Sequence, residues 1–109
     1  MTAAEFVDVV SSFPEVVEHA HFNRRAFKIN GRRIFATLDE KGHSANLKLS
    51  LVDQSVFCGY DGHAVYPVPN KWSLHGWTTF ELDKIPEALI LDAINTAYQE
   101  TAKLRSRKK

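Results

Sequence analysis

Near the start of the chain, apolar residues fall at helical spacing. Phe6, Val9, Val10 and Phe13 share one face, with Glu5, Asp8 and Ser12 off it. Thr2 and Glu5 stand where a capping box needs them, each side chain satisfying a backbone amide that the first turn leaves free. Pro14 ends the pattern. A first helix is therefore predicted before residue 14.

The pattern then shortens to the two-residue period of strands. Two β-rich runs flank Asn30-Gly31, and this dipeptide predicts a two-residue type I′ hairpin because both turn positions need positive φ. That turn pairs Ile29 with Arg32, Lys28 with Arg33, Phe27 with Ile34 and Ala26 with Phe35. Phe27, Ile29, Ile34, Ala36 and Leu38 would face the core, leaving Ala26, Lys28, Arg33, Phe35 and Thr37 on the outer side. A third strand follows over 45–49, with Leu47 and Leu49 opposed to Lys48. Ser50 caps a short helix that runs to Phe57 or Cys58, with Asp53 at its third position and Gly59 as its stop. Residues 63–66 form a short strand closed by Pro67 and Pro69, which excludes a central place in a sheet. Residues 77–82 form another strand. A last helix opens around Asp83 and Pro86, buries Ile90, Ala93, Ile94, Ala97 and Tyr98, and frays over its final residues.

The expected fold is α+β: a two-layer sandwich in the order α-β-β-β-α-β-β-α, with a mainly antiparallel five-stranded sheet and one face open. The 109 residues hold one domain over 1–109, and 44% hydrophobic with 25% charged residues excludes a disordered chain. No apolar run nears the roughly 20 residues that cross a bilayer, so no membrane association is expected. The first residues lack the basic and apolar regions of a signal peptide, and Cys58 is alone, so a cytoplasmic location is expected.

Net charge is only +1, but it is unevenly spread. Residues 19–38 hold no carboxylate and five cations, Arg24, Arg25, Lys28, Arg32 and Arg33. Lys103, Arg105, Arg107, Lys108 and Lys109 crowd the C-terminus, where compensation of the helix dipole and solubility account for them. Local field governs encounter with a charged partner, so the hairpin is the candidate site. Arg24, Arg25, Lys28, Arg32, Arg33 and Lys48 would contact phosphates, and an outward Phe35 would stack on a base. The competing expectation for Phe35 is cover by Trp72, Trp77 or a second subunit.

Other chemistry finds little support. His19 and His21, read as partly buried, and His43, His63 and His75 lack metal-ligand spacing, so no metal is expected. Cys58 sits in an apolar run as a small buried thiol. No nucleophile elbow, P-loop or dinucleotide fingerprint occurs, so neither catalysis nor a cofactor is expected. Trp72, Trp77, Tyr60 and Tyr66, among Pro67 and Pro69, read first as a lid over a sheet edge. An adaptor that binds a protein or peptide through this region or a sheet edge is the alternative function. A small-molecule site under Trp77 is a fainter third.

The run from Phe22 to Lys28, then Gly31-Arg32-Arg33-Ile34-Phe35-Ala36-Thr37, resembles the signature of the MmcQ/YjbR-like proteins. Leu47-Lys48-Leu49, Gly76-Trp77-Thr78 and Ala97-Tyr98 follow in matching order, so the resemblance spans nearly the whole chain. Asn23 and Arg24 replace what is often glycine and a small residue, and 59–74 departs from the common pattern. The resemblance implies a secretion-chaperone-like architecture and DNA binding through a double wing of hairpins, with no catalytic residues to carry over. DNA or another polyanion is thus the expected partner.

Overall fold

A computed structural model of the chain describes residues 1–21 and 24–106. The chain runs α1 (Ala3–Ser11), β1 (Val16–His21), β2 (Arg24–Ile29), β3 (Ile34–Asp39), β4 (Ser44–Lys48), α2 (Leu51–Cys58) and β5 (Val65–Pro67). A 3-10 turn (Lys71–His75), β6 (Trp77–Glu81), a second 3-10 turn (Leu82–Lys84) and α3 (Glu87–Ser106) complete it. The fold is α+β with three α-helices, as expected, but the sheet has six strands rather than five, in the order β1-β2-β3-β4-β6-β5. Every neighbouring pair is antiparallel.

The unforeseen strand is β1. Its run Val-Val-Glu-His-Ala-His has little alternation, and β1 forms because the exposed edge of β2 supplies a partner from Val16↔Ile29 to His21↔Arg24. His19 is exposed there rather than partly buried. The expected fraying of the last residues, and Phe22 and Asn23 of the family signature, lie outside the described residues.

The caps sit where the sequence places them. Thr2 Oγ1 accepts from Glu5 N at 3.0 Å while Thr2 N donates to Glu5 Oε1 at 2.8 Å. Ser50 Oγ accepts from Asp53 N at 3.0 Å. All three helices bring rings to the same sheet face. Phe6 of α1 meets Phe27 edge-on at 6.2 Å between centroids, Phe57 of α2 meets Phe80 at 5.8 Å, and Tyr98 of α3 meets Phe35 at 5.7 Å. These rings belong to one core with Leu38, Leu47, Ile90 and Ile94. Full burial of each such side chain contributes about 1.5–3 kcal/mol.

The hairpin departs from its expected register. Arg32 N donates to Ile29 O at 2.7 Å, and Gly31 alone of the two turn residues has positive φ, at 80°. One positive φ at the third position of the turn is a type II feature, and it abolishes the type I′ pairing. Lys28 then pairs with Ile34, but Phe27 pairs with Ala36, leaving Phe35 as an extra residue in a β-bulge. The bulge lets two successive residues face the helices. Phe35 is fully buried beneath Tyr98, and neither Trp72, Trp77 nor the solvent covers it. Ile34, expected in the core, is half-buried on the opposite side. Cys58 is half-buried rather than buried, and that burial raises its thiol pKa.

Candidate functional site

The face of the sheet away from the helices is open, and pairing across the ladders maps it. One row runs His19, Ala26, Thr37, Asn46, Thr79, Tyr66 from β1 to β5. With strands about 4.8 Å apart, this row spans about 24 Å. Ala26 and Thr37 are buried in this row, while His19, Asn46, Thr79 and Tyr66 line the groove. Asn46 and Thr79 are joined by a hydrogen bond from Thr79 Oγ1 to Asn46 Oδ1 at 2.7 Å. One pleat away, Lys48 stands opposite Trp77. The face is the floor of a groove of about 1590 Å³, walled by the hairpin on one side and the 3-10 turn with Trp72 and His75 on the other. A typical small-molecule pocket holds roughly 300–1,000 Å³, so this groove fits an elongated partner better.

The aromatic wall is held in place by a glycine. Gly76 has φ 93°, and a Cβ there would lie 1.7 Å from the carbonyl oxygen of Leu49. Leu49 N donates to Gly76 O at 3.0 Å, tying the end of β4 to the turn that presents Trp77. Gln54 Nε2 bonds Ser73 O and Trp77 O, each at 3.2 Å, so α2 braces the same turn. At the far end Tyr66 donates its hydroxyl proton to Glu81 Oε2, and this bond pushes the phenol pKa up to about 12.

The seven residues expected at the site divide. Lys28, Arg33 and Lys48 line the groove, and among the described residues none lies within ion-pair distance of a carboxylate. Lys48 is half-buried, and desolvation lowers its pKa, with Glu100 opposing and Arg33 adding to that shift. Arg32 also borders the groove but is held by a bond from Nη1 to Ala102 O at 2.7 Å, near the end of α3. Arg24 lies in the groove with Nε donating to Thr37 Oγ1 at 3.0 Å and Asp39 at 4.0 Å, and burial lowers its pKa. Arg24 Nη2 and Arg32 Nε are buried and have no hydrogen-bond partner among the described residues. Buried donors of this kind are rare and call for an acceptor.

The other two leave the site. Arg25 pairs with Leu38 and so lies on the helix side, where it grips Glu18 with two nitrogens and Glu40 Oε2 with a third at 3.0 Å. Those carboxylates raise its pKa and satisfy its charge. Phe35 is inside the core. In their place the groove holds His19, Tyr66, Trp72 and Trp77. Alternation already set Lys48 opposite Leu47 and Leu49 on one strand, and residues 77–82 were expected as another. What it could not show is that β4 and β6 are neighbours, since their pairing is remote in sequence.

Outside the groove, Val52 (74% exposed) and Val56 (68%) of α2 lie bare, as does Leu74 (72%). Among the described residues no three His, Cys, Asp or Glu side chains gather as a metal site would require, and no helix is long and apolar enough to cross a membrane.

No curated protein matches the chain in sequence. Protein DR2400 of Deinococcus radiodurans, whose crystal structure contains a DUF419 domain, shares the fold with a TM-score of 0.79. At 20% identity the match covers 94% of this chain and 79% of that one. The YjbR family model matches residues 11–100, taking in the hairpin, β4, Gly76-Trp77 and most of α3. The chain belongs to the YjbR family.

Proposed function

We propose that this protein binds nucleic acid along the open face of its sheet, with Lys28, Arg33 and Lys48 contacting phosphates. The observation that carries the reading is the convergence of these three cations, none ion-paired among the described residues, in one groove with an exposed Trp72 and half-buried Trp77 and Tyr66. Phosphate neutralisation supplies most of the non-specific affinity of such proteins, so contacts of this kind favour any sequence about equally. Arg24 and Arg32 line the same groove and add to its positive charge. The interface is the face of the sheet rather than the outward side of a single hairpin, because the bulge removes Phe35 and the Glu18–Arg25–Glu40 cluster removes Arg25. DNA is the expected form, in keeping with the double-wing resemblance.

The test is fluorescence anisotropy with labelled DNA at several salt concentrations. Log affinity should fall linearly with log salt, with a slope of about 0.9 per duplex phosphate neutralised. Lys28→Glu with Arg33→Glu should abolish binding and the slope together. Binding that ignores salt, or survives this double reversal, would remove the proposal.

A second reading, a protein-binding surface, is favoured by the bare Val52 and Val56, one turn apart on α2. It predicts salt-tolerant self-association in sedimentation, lost in Val52→Asp. A monomer at all concentrations would count against it.

A further inference from the structure

The groove has two unlike walls. Cations stand on the strands of the hairpin and on β4, while Trp77, Trp72 and Tyr66 stand on β6, the 3-10 turn and β5. Trp72 is 60% exposed, and its ring is flanked by His75 at 6.1 Å between centroids. A bare indole beside a cationic wall is a stacking surface for a planar group attached to a phosphate chain. A duplex cannot use it, because its bases already stack on each other and only their edges reach a groove. An unpaired strand can, with its backbone on the cationic side and its bases turned toward the tryptophans. Asn46, its Oδ1 occupied by Thr79, has its amide nitrogen for a base edge or a sugar.

We infer that the groove takes a single-stranded segment of nucleic acid, whose bases stack on Trp72 and Trp77 while its phosphates lie against Lys28, Arg33 and Lys48. This rests on the nucleic-acid reading above and narrows it to an unpaired strand. Stacking on an aromatic ring contributes about 1–3 kcal/mol per base, which converts to roughly 5- to 150-fold in affinity.

The experiment compares three labelled probes by anisotropy against the full chain at one low salt concentration: oligothymidylate, an abasic strand of equal length, and a duplex. Each is repeated with Trp72→Ala, Trp77→Ala and Trp77→Phe. The expected result is tightest binding to oligothymidylate, at least about tenfold over the abasic strand, the scale of one stacked base. Trp72→Ala should remove much of that margin without affecting the abasic strand, and Trp77→Phe should retain more than Trp77→Ala. Trp72 is exposed, so its variant keeps the test valid should Trp77→Ala fail to fold. Equal affinity for the base-bearing and abasic strands, or no loss in Trp72→Ala, overturns the inference. Duplex binding without single-strand binding also overturns it, but leaves the nucleic-acid reading standing. No binding to any probe overturns both.

Discussion

Lys48 and Trp77 face each other across the β4–β6 ladder on the open side of the sheet, so a cation and an indole from separate parts of the sequence signature share one site. The ammonium is half-buried, and desolvation holds its pKa below the ordinary lysine value. An anion in the groove would favour the charged form and raise that pKa. The free protein therefore loses the Lys48 proton at a lower pH than the complex does, and affinity should fall as pH rises through the free-state pKa. Affinity measured across the alkaline range should show this decline in the native protein. Lys48→Arg, which stays charged, should show much less of it. A pH profile identical in both would exclude Lys48 from contact.

Arg25 and Arg33 are alike in the sequence and differently placed in the fold. Arg25 is committed to Glu18 and Glu40 on the helix side, whereas Arg33 is exposed at the groove. Arg33→Ala should weaken nucleic-acid binding and lower the salt slope by the contribution of one phosphate contact, about 0.7 on a single strand or about 0.9 on a duplex. Arg25→Ala should leave both within error. Equal effects from the two substitutions would contradict the division of the hairpin into a bound face and a free one.

Phe35 offers the converse case. It is fully buried against Tyr98 in the β3 bulge, so Phe35→Ala should destabilise the fold by about 3–5 kcal/mol, as expected for loss of a core aromatic. The readout is thermal or denaturant unfolding. A loss of under about 1 kcal/mol, the usual range for surface sites, would place the ring outside the core.

Gly76 holds β6 against β4 through a contact that admits no side chain. Gly76→Ala must displace the Leu49 carbonyl and also leave the strained φ, which costs about 1–3 kcal/mol on its own. Each kcal/mol corresponds to about 4–8 °C in a domain of this size, so calorimetry should show a fall of roughly 10 °C or more. Trp77 follows directly in the chain, so the base-dependent part of binding should weaken with it. An unchanged melting temperature would mean that the close approach is not present in solution.

Local signals were legible in the sequence wherever a few adjacent residues decide the outcome. The Thr2–Glu5 capping box and the Ser50 cap are of this kind, and so is the alternation that sets Lys48 against Leu47 and Leu49. The hydrophobic pattern also led to an α+β fold with an antiparallel sheet and three helices, but missed β1, whose weakly patterned run gains strand structure only by adding to the edge of β2. The hairpin shows where local reading stops. Asn30-Gly31 marks the turn correctly, but a single extra residue at Phe35 inverts the facing of Ile34 and Phe35. The buried Phe35 ring packs against Tyr98, some sixty residues away, a contact that no local pattern reports. Most of the groove's cations and its tryptophans were each singled out in the sequence, but not as one site, because only the β4–β6 pairing brings Trp77 to Lys48.

The most direct measurement is a map of backbone amide shifts by NMR as single-stranded DNA is added to the labelled protein. The largest changes should fall on Lys28, Ile34, Asn46, Lys48, Trp77 and Thr79, which share the open face, with little change at Arg25, Glu18 or α1. Shifts confined to the helix side, or to Val52 and Val56 on α2, would contradict a binding site on the open sheet.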